Sequence, residues 1–174
     1  MVSRYTLTAA IYGTAIIVAC LSCASLQAQD QKLRIRVPGL VSINASNHFE
    51  QIFYDETDAD QTFDWQFWQV VCNNAKGAVL TFETDQAFTH TTNPSIKRDV
   101  ALLLEIVNAK KWKITTATDQ TDYAGGDEVA VVEADTKKAA DGEFRLRVTF
   151  LEESFVNTLA GDYDMTITGT IVPK

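Results

Sequence analysis

Cysteine, histidine, proline and positive charge are all scarce in this chain, and each shortage removes a class of function. Of 174 residues three are cysteine and two are histidine. Cys20 and Cys23 fall in the apolar N-terminal stretch, which leaves Cys72 alone in the body. A secreted domain with one cysteine holds no internal disulfide, so its cohesion must come from its core. Cys72 itself lies in an apolar, alternating stretch and reads as a buried, inert thiol. His48 and His90 form no Cys/His set at zinc spacing and no His-Glu-x-x-His motif. No Gly-x-Ser-x-Gly elbow or phosphate-cradling glycine loop occurs. A dyad of Cys72 with His90 is disfavoured, because a thiolate is costly inside a hydrophobic strand. Two carboxylates at the right separation would suffice for a glycosidase, but an acidic surface accounts for the carboxylates present. The expectation is a non-enzyme with no metal and no cofactor.

Three prolines and eight glycines are too few for a low-complexity stalk. Fifteen basic residues against 23 acidic ones give a formal charge of −8. That balance disfavours a nucleic-acid partner, which needs basic density against phosphate, and it equally disfavours electrostatic docking on an anionic membrane. Hydrophobic residues at 46% and charged residues at 22% are ordinary for one globular domain.

Apolar sequence is concentrated at the N-terminus. Arg4 is the only charge before Asp30, and Leu7 to Leu26 is apolar or small throughout. This is the pattern of an export signal over residues 1–28, ending after Ala24 or Ala28. The alternative is a lipoprotein signal ending before Cys20: Ile17-Val-Ala-Cys20 resembles the bacterial lipobox, in which the cysteine is acylated. Either way the expected location is extracytoplasmic (periplasm, outer surface or secreted), with membrane contact only through a lipid on Cys20.

Residues 29–174 read as a run of strands with polar turns. From Tyr163 the side chains alternate: Tyr163, Met165, Ile167, Gly169 and Ile171 point one way, Asp162, Asp164, Thr166, Thr168 and Thr170 the other. This last strand is expected to carry much of the core. Leu159 and Tyr163, four apart around Gly161, have the spacing of a tyrosine corner, where the Tyr hydroxyl ties back to upstream backbone. Phe144, Leu146, Val148 and Phe150 give the best internal strand, over Glu143–Leu151. Lys32–Val37 also alternates cleanly, is interrupted by Pro38-Gly39, and resumes over Leu40–Ala45, as a first strand that switches sheets. Phe63–Cys72 and Ala78–Thr84, joined through Asn73–Gly77, read as a hairpin. Val100–Val107 and Trp112–Thr118 read as a second one. Val129–Ala134 is a weaker strand. Asp85–Ser95 and Asp119–Asp127 read as polar loops. Ser46–Asp64 reads as a long acidic loop with a short helical turn through Phe49 and Phe53. Its Asp55–Asp60 carboxylates are expected to be solvated; a calcium site is the alternative, although the run lacks the glycine and distal Glu of an EF-hand. The whole predicts an all-β, Ig-like Greek-key β-sandwich of about eight or nine strands.

The broken strand Leu33–Ala45, the Trp-bearing stretch Trp68–Phe82 and the ending Ala160-Gly-Asp-Tyr-Asp-Met-Thr-Ile-Thr-Gly-Thr-Ile171 resemble bacterial secreted sandwich proteins of the fimbrial-subunit and spore-coat-U type. The resemblance implies an Ig-like fold and a structural or adhesive role at the cell surface. The expected partners are other copies of the chain, surface proteins or glycans, with self-association through sheet edges or an exchanged strand. The alternative is a carbohydrate- or ligand-binding module, in which Trp65, Phe67 or Trp68 stacks on a sugar ring.

Overall fold

The computed structural model describes residues 33–174. The leader expected over residues 1–28, with Cys20, therefore lies outside the described residues. Leu33–Arg36 have no regular secondary structure. From Val37 onward the chain is all-β, and none of the described residues forms an α-helix.

In chain order the strands are β1 (Val41–Ala45), β2 (Gln61–Thr62), β3 (Gln66–Cys72), β4 (Ala78–Thr84), β5 (Phe88–His90), β6 (Lys97–Arg98) and β7 (Val100–Asn108). There follow β8 (Trp112–Thr116), β9 (Thr118–Gln120), β10 (Val131–Thr136), β11 (Ala140–Phe150), β12 (Tyr163–Asp164) and β13 (Ile167–Pro173). One sheet runs β1-β3-β11-β7-β9, with β2 paired to the end of β11; a second runs β13-β4-β10-β8; a small third is β12-β5-β6. All pairings are antiparallel, and the two larger sheets face each other as a sandwich. No two consecutive strands are neighbours in either large sheet.

The alternation expected of β11 is present: Phe144, Leu146, Val148 and Phe150 are all buried. Opposite them β4 and β10 bury Leu80, Phe82, Val132 and Ala134. Each such aliphatic or aromatic side chain contributes about 1.5–3 kcal/mol when removed from water. Cys72 sits in this core, 3% exposed, with a free thiol.

Several expectations are corrected. Phe63–Cys72 and Ala78–Thr84 are not a hairpin, because β3 and β4 lie in different sheets. Each carries its own buried row, and facing across the core lets Trp68 meet Phe82 with ring centroids 5.0 Å apart. The link bends through Gly77 at φ +86°, where a Cβ would come within 1.9 Å of the Thr136 carbonyl oxygen. The second expected hairpin fails in the same way. β8 crosses to the other sheet, and it is β9 that pairs with β7. Asp85–Ser95 is not simply a loop, since it holds β5 with all three residues buried.

Leu33–Val37 form no strand. Leu33, Ile35 and Val37 stay 84%, 91% and 75% exposed. The ladder partner has run out: β1 begins opposite Cys72, and Asn73, where the chain turns, instead bonds Leu40 and Pro38. No helical turn forms at Phe49 and Phe53. The single last strand expected from Tyr163 breaks after Asp164, with β12 in the small sheet and β13 at the edge of a large one; the inward side chains of β13 are half-buried, so the core centres on β4, β7, β10 and β11 instead.

Candidate functional site

The aromatics singled out from sequence do not converge. Trp68 points into the sandwich against Phe82, and an added Cβ on Gly169 would touch its ring at 3.0 Å. Trp65 and Phe67 lie on the opposite, outward face. Arg145 sits opposite Phe67 in register, and Arg145 and Arg147 both hold their guanidinium carbons 4.0 Å from the Trp65 ring centroid. Two cations already engage that ring. Phe67 remains 38% exposed on the same face.

Other aromatics do converge, at one end of the sandwich. The Ser46–Asp60 loop and the Phe155–Asp164 segment enclose a cleft of about 690 Å³. Its floor is a continuous set of rings. Phe63 stacks on Phe88 at 5.8 Å, Phe88 meets Phe150 at 5.2 Å, and Phe150 meets Tyr163 edge-on at 5.6 Å. Tyr54 adds to Phe150 at 6.1 Å and stacks on Phe155 at 5.6 Å. Phe49 and Phe53 stand at the mouth, 82% and 88% exposed.

A buried polar network holds the walls. Glu152 follows β11, and its side chain is fully enclosed. The Thr158 hydroxyl lies 2.8 and 2.7 Å from its two oxygens, the Tyr54 hydroxyl 2.9 Å away, and the Ser154 amide donates at 2.9 Å. Arg98 Nε lies 3.5 Å from Glu152 Oε1, while its Nη2 donates to the Asn157 carbonyl and the Thr158 hydroxyl. Burial disfavours the Glu152 carboxylate, but the Thr158, Tyr54 and Ser154 donors and the Arg98 charge outweigh it and hold the carboxyl below its ordinary range. Burial, then the bond to Glu152 and its charge, push the Tyr54 phenol far above its usual value.

The tyrosine corner forms as expected: the Tyr163 hydroxyl donates to the Leu159 carbonyl at 3.0 Å. Behind it His90 is buried and packs edge-on against Tyr163 at 5.0 Å. Its Nδ1 accepts from the Thr92 and Asn93 amides, and Nε2 faces the Ala160 carbonyl at 3.2 Å. His90 thus serves the corner rather than Cys72. Gly161 runs at φ +152°, and a Cβ there would lie 2.3 Å from His90 Nε2.

The acidic loop is built into the same end. Asp58 and Asp60 accept from the backbone amides of Phe155 and Glu152 at 2.8 and 2.9 Å. Asp55 accepts from Thr57 and Gln61, and the Thr57 hydroxyl bond leads the causes that lower its pKa. Sequence reading missed this cleft, since its rings come from five separate segments; the only local hint was the aromatic interruption of the acidic loop.

No family model matches the chain, and no curated protein matches it.

Proposed function

We propose that this chain is a non-enzymatic, extracytoplasmic surface protein of Ig-like Greek-key type, with a structural or adhesive role exercised by self-association. Residues 1–28 would export it, and Cys20 is the lipid site should it be anchored. Support for the Ig-like assignment comes from the tyrosine corner closed by Tyr163 and Leu159.

The observation that carries the self-association is the Leu33–Val37 stretch. Its alternating Leu33, Ile35 and Val37 are exposed, and among the described residues its backbone has no ladder partner. Three apolar side chains in one row, on an unpaired backbone, are what strand addition to a free sheet edge requires. The partner is a second copy, which offers such edges at β13, β8 and β9.

Size-exclusion chromatography with light scattering tests this on the exported protein. The expected result is concentration-dependent oligomers that disappear in a Leu33→Ser, Ile35→Ser, Val37→Ser variant. These positions are exposed, so the variant keeps its fold. A monomer at every concentration, or oligomers indifferent to the triple change, overturns the proposal.

A further inference from the structure

We propose that the cleft between the Ser46–Asp60 loop and the Phe155–Asp164 segment is a binding site for an organic cation of the quaternary-ammonium class. This is independent of self-association.

About 690 Å³ is ample for a small organic ligand. A saccharide on Trp65 or Trp68 is closed off by the arginines on one ring and the core around the other. The cleft is lined instead by the rings of Tyr54, Phe63, Phe155 and Tyr163, with Phe49 and Phe53 at its mouth.

Charge then chooses the ligand. Glu50, Glu56, Asp162 and Asp164 line the cleft, and among the described residues no Lys, Arg or His does. Arg98, the nearest cation in the polar network, is buried behind the wall on Glu152 and Thr158. Two neutral polar groups of the lining are committed, the Gln61 amide to Asp55 and the Ala59 carbonyl and the Thr158 hydroxyl to Glu152, which leaves the Gln51 amide as the one neutral side-chain amide open to a ligand among the described residues. Among the described residues, the carboxylates of Glu56, Asp162 and Asp164 have no hydrogen-bond partner. What predominates for a ligand is anionic charge and aromatic surface, with the Gln51 amide beside them. A sugar, which needs donors and acceptors in alternation, finds few donors here. An anion is repelled. A metal ion would need a tight group of ligands, and the described residues contain no set of three or more His, Cys, Asp or Glu so placed. A diffuse, weakly hydrated cation is attracted by the ring quadrupoles and by the carboxylates at once.

The test is calorimetric titration of the exported protein with choline and with its neutral carbon isostere, 3,3-dimethyl-1-butanol. Choline is expected to saturate one site and to bind at least tenfold more tightly than the isostere. An Asp162→Asn, Asp164→Asn variant should weaken choline at least threefold and leave the isostere unchanged. Phe53→Ser, at an exposed position, should weaken choline without changing the circular dichroism spectrum. Equal affinity for the two probes would make the cleft a plain apolar groove and overturn the proposal. So would no choline binding, tighter binding of methyl glycosides than of choline, or choline binding indifferent to all three substitutions.

Discussion

At Gly161 the backbone and a neighbour both forbid a side chain. The φ of +152° is poorly tolerated by an L-residue, and the space a Cβ would fill belongs to His90. Gly161→Ala is therefore expected to destabilise the fold by more than about 1 kcal/mol, read as a lower midpoint in urea unfolding. Two residues on, Tyr163→Phe removes the bond to Leu159 and leaves the ring contacts with His90 and Phe150 in place. Its cost should be smaller, about 0.5–1.5 kcal/mol, the net worth of one hydrogen bond. The order matters as much as the sizes. If the Tyr163 change costs more than the Gly161 change, the close approach of His90 is not what fixes the glycine. The tyrosine corner was legible from sequence because both partners lie within five residues. His90 was not, since the contact that gives it a role spans 70 positions.

Among the elements, the strands themselves were largely readable and their partners were not. β11 and β13 follow their alternation, and β7, a continuous apolar run, is a strand as expected. Periodicity fixes which side chains share a face. It carries no information about which edge a strand finds, which is why two expected hairpins dissolved into crossings between sheets and Leu33–Val37 found no sheet. The acidic loop shows the same limit from the other side. Composition suggested solvated carboxylates, whereas Asp58 and Asp60 reach about 90 residues along the chain to the amides of Phe155 and Glu152. Replacing both with alanine should cost about 1–3 kcal/mol, as expected for bonds to a charged acceptor. Amide hydrogen exchange gives the sharper readout: Phe155 and Glu152 should lose protection while amides in β4 and β10 keep theirs. Uniform loss across the domain would mean the two carboxylates do not act as a local tether.

For the molecule as a whole, Glu152 ties stability to pH. Its pKa is lower folded than unfolded, so the unfolded chain binds the proton more tightly. The stabilisation is present above the unfolded value of about 4.3 and is lost as pH falls through the lower folded value. At neutral pH Glu152→Gln leaves Arg98 buried beside a neutral amide, and the expected loss is about 3–5 kcal/mol. Urea unfolding at pH 7 and pH 3 checks the sign: the gap between the parent and the variant should narrow in acid. A gap of the same size at both pH values would show that the charge on Glu152 is not what stabilises this end of the sandwich.

The absence of sequential neighbours in the two large sheets also bears on how the fold is reached. Within them no local ribbon can form first, because every rung joins segments separated by at least one other strand. Closing such loops costs entropy before any contact repays it, which places this topology among slow folders. β4 has one long edge waiting for β13, the last strand of the chain. A polypeptide emerging N-terminus first would therefore leave that edge of β4 unpaired until β13 arrives.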